Sequence, residues 1–457
     1  MKVDQLASRA LSPLGSLPSG WQMVKLKDIA KKVGSGATPK GGQSAYLPTR
    51  QHFALIRSQN VFDRRFSSEG LVYISDDQAA DLRGAEVQPE DLLLNITGDG
   101  ITFARACLAP KSVLPACVNQ HVSILRTDPS RCCPGFLLSY LTHPAVKGYI
   151  ESFNAGGSRR AITKGHIESF EVPLPPMPEQ QHIAYILGTL DDKIDLNRRM
   201  NETLESMAQA LFQSWFVDFD PVRAKAEGRK PAGMDATTAG LFPDGFEESP
   251  LGSIPKRWKV GTVGGIATIS RDSLIPQDFA EEVFDHYSIP AFDEGRLPKS
   301  ERGADIRSNK FIVPPGAVLV SKLNPRIPRV WLPWPSCRRP VCSTEFLVVL
   351  PTVGSVEREY LFAFFRSPQF GEDFASRVTG TSGSHQRVKS DDLLAIGCPI
   401  PTKPTSRHYA ETVGPMLERV ARNLEESRTL AALRDALLPK LLSGEIRVKD
   451  AEKMAES

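Results

Sequence analysis

Two long stretches of the chain carry apolar residues at alternating spacings of three and four positions. The first passes through Ile183, Leu187, Leu190, Ile194, Asn197, Asn201, Leu204, Ala208, Leu211 and Trp215. The second passes through Tyr409, Val413, Met416, Val420, Asn423, Ser427, Leu430, Arg434, Leu437 and Leu441. This spacing is the a/d pattern of helices that pair as a coiled coil. At about 1.5 Å per residue, each stretch predicts a helix of roughly 55 Å.

Polar residues interrupt both patterns near their middle. An antiparallel pair would place Asn197 opposite Ser427 and Asn201 opposite Asn423, so that a polar layer fixes the register. A parallel pair would match the same residues, and the layer therefore predicts register and leaves direction open. We expect the antiparallel pair, with pseudo-two-fold symmetry. The alternative is two separate amphipathic helices, each packed on its own domain.

Each predicted helix follows a globular stretch, and the two globular stretches resemble each other. Trp21 matches Trp258, and from Pro173 onward the match continues without a gap, as in His182 and His408. The runs "DLLLNI", "HVSILRT", "AVLVSKL" and "EFLVVLP" predict buried strands, whereas "PGFLLSYLTHPAVKGYIESF" and "REYLFAFFRSPQFGEDFASRV" predict helices. The fold class is therefore α+β, with two domains of similar fold that are each followed by a long helix.

These patterns divide the chain into seven segments. They are an N-terminal extension (1–16), a first globular domain (17–175), a first long helix (176–220), a linker (221–253), a second globular domain (254–402), a second long helix (403–444) and a C-terminal tail (445–457).

The distribution of charge along the sequence indicates a candidate partner. The 457 residues have a net charge of only +3, but residues 306–344 contain seven Lys or Arg and no Asp or Glu. Such a concentration indicates a polyanion partner, with a merely solvated basic face as the alternative. No run approaches the roughly 20 apolar residues of a membrane span. The seven cysteines include no CxxC pair, so we expect no metal site and a cytoplasmic protein.

Several motifs, in their order and duplication, resemble the specificity subunit of type I restriction–modification enzymes. "SGATPKGG" looks like a loop of that family's N-terminal target-recognition domain, and "PEDLLLNITGDG" and "VLVSKLNPRIPRVWL" look like its central strand and loop. "LPPMPEQQHIAYILGTLDDKI" looks like the entry to the first conserved helix, and "ALFQSWFVDFDPVRAKAEGRKPAGM" looks like the stretch after it. The second helix entry, "PTKPTSRHYAE", departs from the pattern because it lacks Pro-x-x-Glu-Gln.

The resemblance implies a subunit of a DNA methylation and restriction system that binds double-stranded DNA. Each target-recognition domain would read one half of a split target, and the helices would set the gap. Two modification subunits would methylate adenine, and restriction subunits would supply translocase and nuclease activity. S-adenosylmethionine, ATP and Mg would then belong to those partners, with no cofactor on this chain. From the helix length we predict an unread spacer of roughly 5–8 base pairs.

The sequence carries no catalytic signature of its own. "FDPV" and "LNPR" lack the second proline of amino-methyltransferase motifs, and "GSGATPKGG" lacks the Gly-Lys-Ser/Thr ending of a phosphate-binding loop. We therefore expect a non-catalytic subunit. The alternatives are a stand-alone DNA-modifying enzyme and a coiled-coil scaffold that binds only proteins; salt-dependent duplex binding separates the scaffold from the DNA-binding subunit.

Donor-rich loop residues are the candidates for DNA contact, because Arg, Lys, Asn and Gln read base edges and bind phosphate. In the first domain they are Thr38, Lys40, Thr97, Asn119, Gln120, Asn154, Ser158, Arg159 and Arg160. In the second domain they are Lys322, Asn324, Arg326, Arg329, Arg377, Ser384, His385, Gln386 and Arg387.

Overall fold

The computed structural model divides the chain into two compact units. One comprises Met1–Asp195 with Arg428–Ser457, and the other comprises Leu196–Ser427. Each unit holds one globular domain and the adjoining parts of both long helices. The residues described are 14–15, 17–154, 159–334, 338–378 and 386–446.

The first domain is built on an antiparallel four-stranded sheet. Its strands, in spatial order, are Ala30–Ser35, Val122–Thr127, Leu92–Asn95 and Ala106–Leu108. A second sheet orders Ala116–Val118, Phe53–Ile56 and Val72–Ile74. Shorter pairs join Gln22–Lys25 to Glu171–Leu174, Thr97–Gly98 to Arg160–Ala161, and Val61–Phe62 to Arg65–Phe66. The α-helices are Leu26–Ile29, Asp76–Asp81, Pro134–Leu141, Pro144–Ser152 and Lys164–Glu168.

The second domain repeats this plan. Its four-stranded antiparallel sheet orders Ala267–Ser270, Phe346–Pro351, Val318–Ser321 and Val330–Trp331. The second sheet has five strands, in the order Ser273–Leu274, Lys310–Ile312, Arg339–Cys342, Val283–Tyr287 and Lys299–Arg302. Lys259–Thr262 pairs with Gly397–Ile400, as Gln22–Lys25 pairs with Glu171–Leu174 in the first domain. The α-helices are Val263–Ile266, Ile289–Gly295, Arg358–Phe365, Pro368–Ser376 and Ser390–Leu394.

The four predicted strands are confirmed, but each predicted globular helix is two helices. Pro144 and Pro368 begin the second helix of each pair, because proline is tolerated in a first turn and cannot continue the preceding helix. The side chains of His143 and Ser367 cap these new starts by accepting from the main-chain N–H groups of Ala145 and Phe370. The break lets both helices of a pair bury aromatic residues such as Phe365 and Phe374 in one core.

The segment 221–253, predicted as a linker, is part of the second domain. It contains the helices Asp220–Ala226 and Ala236–Gly240 and the first strand of the hairpin Phe246–Ser249 with Gly252–Pro255. Val222 and Phe242 are fully buried in the core of this domain. The prediction of a linker was wrong because the charged run around "RAKAEGRK" hides the apolar residues that flank it.

The long helices extend over Met177–Phe212 and Lys403–Leu442. The first continues as a π-helical turn, Gln213–Val217, and then breaks at Phe219, whose φ is +54°. The break thus precedes Pro221, the residue predicted to end this helix. The second ends before Gly444, whose φ of +71° favours glycine.

The seam predicted for helix pairing lies at buried or partly buried positions. Buried are Leu187, Leu190, Asn197, Asn201, Val413, Val420, Asn423 and Leu437; partly buried are Ile194, Leu204, Leu211, Met416, Ser427 and Leu430. In the first unit, Leu190 shares a core cluster with Leu437 and Leu441. Ile186 and Leu417, outside the seam, are buried as well. The apolar stripe is wider than a coiled coil alone requires, because each helix also packs against its domain.

A polar layer lies within the pair of helices in the second unit. The Nδ2 of Asn423 donates to the Oδ1 of Asn201 at 2.8 Å, and the Nδ2 of Asn197 lies 3.4 Å from the Oγ of Ser427. The hydroxyl of Tyr409 donates to the carbonyl oxygen of Ala208 at 3.1 Å. Because residue numbers rise along one helix as they fall along the other, the helices run antiparallel, with the register predicted for the polar residues.

A carboxylate held by two arginines ties the first domain to the long helices of its unit. Asp191 lies 2.5 Å from the Nε of Arg64 and 2.8 Å from the Nη1 of Arg434. Burial lowers the pKa of Arg64, and the charge of Asp191 opposes that shift. In the second unit, Glu205 binds Arg296 and Arg366 in the same manner.

We expect Asp191→Asn to lower the free energy of unfolding by about 2–3 kcal/mol, because the buried Arg64 would lose its counter-ion and Arg434 would keep only its pair with Asp435. Chemical unfolding followed by circular dichroism measures the change. Asp192→Asn is the matched control, since Asp192 is its exposed neighbour. Equal stability of both variants would show that the carboxylate of Asp191 is not needed to hold the arginines.

Candidate nucleic-acid interface

Main-chain hydrogen bonds bring three loops together at one end of the central sheet in the first domain. The N–H of Ile96 donates to the carbonyl oxygen of His121 at 3.0 Å. The N–H of Ile162 in turn donates to the carbonyl oxygen of Ile96 at 3.0 Å. The side chain of Asn119 shapes the same turn, because its Oδ1 accepts from the N–H of His121 at 3.0 Å. We call these contacts the loop frame.

The second domain has the same loop frame with different side chains. The N–H of Lys322 donates to the carbonyl oxygen of Glu345 at 2.9 Å, and the N–H of Val388 donates to that of Lys322 at 3.1 Å. The Oγ of Ser343 accepts from the N–H of Glu345 at 3.3 Å. Each of these three hydrogen bonds has a counterpart in the first domain. The frame is therefore duplicated, while the groups that it presents have diverged.

Polar side chains form a connected cluster on the first loop frame. The hydroxyl of Thr38 donates to the Oε1 of Gln120, whose Nε2 lies 3.4 Å from the Nε2 of His121. The Oγ1 of Thr97 lies 2.6 Å from the Nδ1 of His121. Burial and the positive charge of Arg159 lower the pKa of His121. A neutral imidazole is thus favoured, in which one ring nitrogen accepts a hydrogen bond and the other donates one.

Basic residues flank this cluster. Arg160 pairs with Glu151 at 2.5 Å, and Arg159 is exposed beside it. Asn154 fixes the same segment, because its Oδ1 accepts from the N–H of Ala161 at 2.9 Å. Lys40 forms an exposed ion pair with Asp81 at 3.1 Å.

Asn119 differs from the other candidates in the first domain because it is buried. Its amide oxygen is occupied by the turn, so the residue holds the loop and does not present its side chain to solvent. Contact between Asn119 and DNA stays a prediction. The capping role had a sequence signal: Asn119 aligns with Ser343, and both residue types accept main-chain hydrogen bonds in turns.

Candidates in the second domain lie on the corresponding loops. Lys322 and Gln386 are partly buried in the loop frame, where the carbonyl oxygen of Gln386 accepts from the N–H of Asn324 at 2.9 Å. Asn324 has a φ of +49°, which places a tight turn directly after the frame. Arg326 is exposed on that turn.

In the second domain, three of the arginines predicted to contact DNA are held by carboxylates. Arg329 binds Asp293 through two hydrogen bonds of 2.7 and 2.8 Å, and Arg387 binds Glu345 through two of 3.0 Å. Arg377 pairs with Asp373 at 2.7 Å. These pairs orient the guanidinium groups within the loops. Ser158, Ser384 and His385 lie outside the described residues, and with all other candidates their contact with DNA stays a prediction.

Several basic residues of the stretch 306–344 are paired with acidic residues or buried. Besides Arg329, Arg338 lies 3.5 Å from Asp285 and Arg339 lies 3.5 Å from Glu282. Lys310 is buried, and burial lowers its pKa. The stretch does not form a continuous basic face, because residues 282–293 fold against it and supply the acids that it lacks. Arg307 and Arg326 remain exposed.

Sequence reasoning missed His121 and Glu345, which occupy the same place on the two frames. Each is the first residue of a predicted strand, and aligning "HVSILRT" with "EFLVVLP" would have indicated them. Within the described ranges, no group of three or more His, Cys, Asp or Glu side chains is placed to hold a metal ion. Among the helices described, none combines the length and apolarity needed to cross a membrane. The fold and the two frames define a duplicated recognition protein.

Comparison with known proteins shows which family the chain resembles. Residues 18–206 match the family model described as Type I restriction modification DNA specificity domain. The type I restriction enzyme MjaIX specificity subunit of Methanocaldococcus jannaschii is 23% identical over 458 residues, which cover 96% of each chain. The HindI specificity subunit of Haemophilus influenzae is 26% identical and covers 72% of this chain and 81% of its own.

A solved structure shares the fold. The crystal structure of the type I restriction–modification S subunit from M. genitalium superposes with a TM-score of 0.58 at 13% identity, covering 94% of this chain and 98% of its own. The chain is therefore similar to type I restriction–modification specificity subunits, through the family model over residues 18–206 and through relatives aligned over most of its length.

Proposed function

We propose that this chain reads a bipartite double-stranded DNA target, with one half-site for each domain and an unread spacer of roughly 5–8 base pairs between them. The observation that carries the proposal is the duplicated loop frame. One backbone arrangement presents Thr97, Gln120 and His121 in the first domain, and Lys322 and Glu345 in the second. Different donor and acceptor sets on one frame would select different bases, so the half-sites differ in sequence.

The chain serves as the non-catalytic recognition subunit of a larger assembly. It recruits two modification subunits, which methylate adenine with S-adenosylmethionine, and restriction subunits that use ATP and Mg for translocation and cleavage. The long helices are the docking element, because their outer faces expose Tyr185 and Met207 on a rigid support. The family relationship and the helix pair support this division of roles.

Methylome sequencing tests the proposal most directly. Deleting the gene from its source cell should abolish methylation at one bipartite motif and leave other motifs unchanged. Binding of the assembled complex to that motif should fall linearly with salt on logarithmic axes, because phosphate contacts release counter-ions. An unchanged methylome, together with duplex binding that does not distinguish the motif from a scrambled sequence, would refute the proposed function.

Single substitutions on the two frames should relax the two half-sites separately. We expect Gln120→Ala to weaken discrimination in one half-site and Arg326→Ala to weaken it in the other, each by about tenfold to a hundredfold at one or two base pairs. Site selection from randomised duplexes followed by sequencing measures both effects.

The matched control for these substitutions is Gln51→Ala. Gln51 is exposed and precedes the strand Phe53–Ile56, whose opposite end supports the loop frame. This variant should select the wild-type site. If Gln120→Ala and Arg326→Ala change the same half-site, the assignment of one half-site to each domain is wrong.

A further inference from the structure

Ile101 and Ile327 are large apolar side chains that stand exposed next to the two loop frames. Their side chains are 74% and 52% accessible to water. Ile101 is the fourth residue after Thr97, and Ile327 is the fourth after Leu323, which are the frame residues that pair with Ala161 and Arg387. The loops otherwise differ in sequence, and the second reaches the following strand two residues sooner. The same exposed residue thus stands at the same place in both domains.

Hydrogen bonds from their main-chain N–H groups hold both isoleucines in place. The Oδ1 of Asp99 accepts from the N–H groups of Ile101 and Thr102 at 3.1 and 2.7 Å. The N–H of Ile327 donates to the carbonyl oxygen of Asn324 at 2.9 Å. Little loop ordering would therefore be needed on binding, so an apolar contact made here would retain most of its free energy.

Each isoleucine has a guanidinium group as a neighbour. A Cβ atom at Gly100 would lie 3.8 Å from the guanidinium of Arg160, and Arg326 directly precedes Ile327. A cation beside an apolar side chain matches the major-groove edge of DNA, where guanine offers acceptors and thymine offers a methyl group. The thymine methyl is the apolar feature of that edge, so it is the group that an exposed isoleucine can bury.

We propose that Ile101 and Ile327 are specificity-determining residues that each contact the 5-methyl group of a thymine in the half-site read by their own domain. This inference rests on the proposed function. It adds the chemical group recognised, and it predicts at least one thymine at a read position of each half-site.

Deoxyuridine substitution tests the contact, because uracil pairs as thymine does but lacks the methyl group. The target is first selected from randomised duplexes with the chain in complex with its modification subunits. Each thymine is then replaced singly by deoxyuridine, and affinity is measured by competition. For the wild type, one replacement in each half-site should lower affinity about fourfold, the effect of losing one buried methyl group.

The variants assign each effect to its residue. Ile101→Ala should remove the difference between thymine and uracil in one half-site only, and Ile327→Ala should remove it in the other. Val353→Ala is the matched control: Val353 is fully exposed and follows the far end of the strand Phe346–Pro351, so this variant should keep both differences.

Three results would overturn the inference while leaving the proposed function intact. These are a selected half-site without thymine, equal binding of every uracil duplex, and an Ile101→Ala variant that still distinguishes thymine from uracil. The isoleucine-to-alanine variants could also lose the same affinity, relative to the wild type, for thymine and for uracil duplexes. That result would indicate an apolar wedge between base steps and would likewise contradict the methyl contact. Failure of the wild-type complex to select any site would instead refute the proposed function itself.

Discussion

Replacing Leu190 by Asp should lower the free energy of unfolding by about 3–5 kcal/mol. Leu190 is buried in the cluster that also contains Leu437 and Leu441 from the second long helix. A carboxylate at this position would lose its water. Arg434, the cation bound by the adjacent Asp191, is already paired and could not neutralise a second charge without strain. Leu204 is only partly buried, and Leu204→Asp should cost less, about 1–2 kcal/mol.

Urea unfolding of the chain measures the loss, and co-purification with the modification subunits measures its consequence for assembly. Leu196→Asp is the matched control, because Leu196 lies on the same helix and is substantially exposed. It should change stability by less than about 1 kcal/mol. A similar loss from both substitutions would mean that burial in the helix pair does not determine the effect.

Lengthening both long helices should lengthen the spacer of the DNA target. Four residues inserted between Asn197 and Asn201, and four between Asn423 and Ser427, keep the flanking pairs opposite each other in an antiparallel arrangement. Each helix gains about one turn, near 5.4 Å. Base pairs stack at about 3.4 Å, so the preferred spacer should increase by one or two base pairs. Affinity for the original target should fall roughly a hundredfold, since only one half-site could be read in register.

Selection from a library with fixed half-sites and variable spacers gives the new preference. Paired substitutions of exposed helix residues, Glu202→Ala with Arg419→Ala, change the same helices without lengthening them and should leave the spacer unchanged. New half-site sequences with an unchanged spacer would show that the helices do not set the gap.

Much of the fold could be predicted because the spacing of apolar residues along the chain indicates which positions are buried. The heptad seams located both long helices, and the matched polar positions gave the register seen between Asn201 and Asn423. Direction could not be derived, because the polar layer matches in both orientations. The linker was misjudged because Val222 and Phe242 lie in a segment rich in charged residues, glycine and proline, and their burial depends on contacts with distant parts of the chain.

The candidate site was less predictable, for a physical reason. A loop side chain can face solvent, cap a turn or pair with a distant carboxylate, and its residue type permits all three. Asn119 caps, Arg387 pairs with Glu345, and Gln120 joins an exposed polar cluster. These outcomes depend on residues far away in sequence. Composition likewise suggested a basic face at 306–344, but could not show that Asp285 and Asp293 would fold against it.

The loop frame has an evolutionary consequence. Its linking hydrogen bonds join main-chain atoms, from Ile162 to Ile96 to His121 and from Val388 to Lys322 to Glu345. Most substitutions in these loops therefore leave the scaffold intact, since every residue except proline supplies the same N–H and C=O groups. Mutations can accumulate in the loops of one domain while the other domain keeps its preference for particular bases. If each domain reads one half-site, as proposed, a lineage can acquire a new target by changing one half at a time without losing the fold.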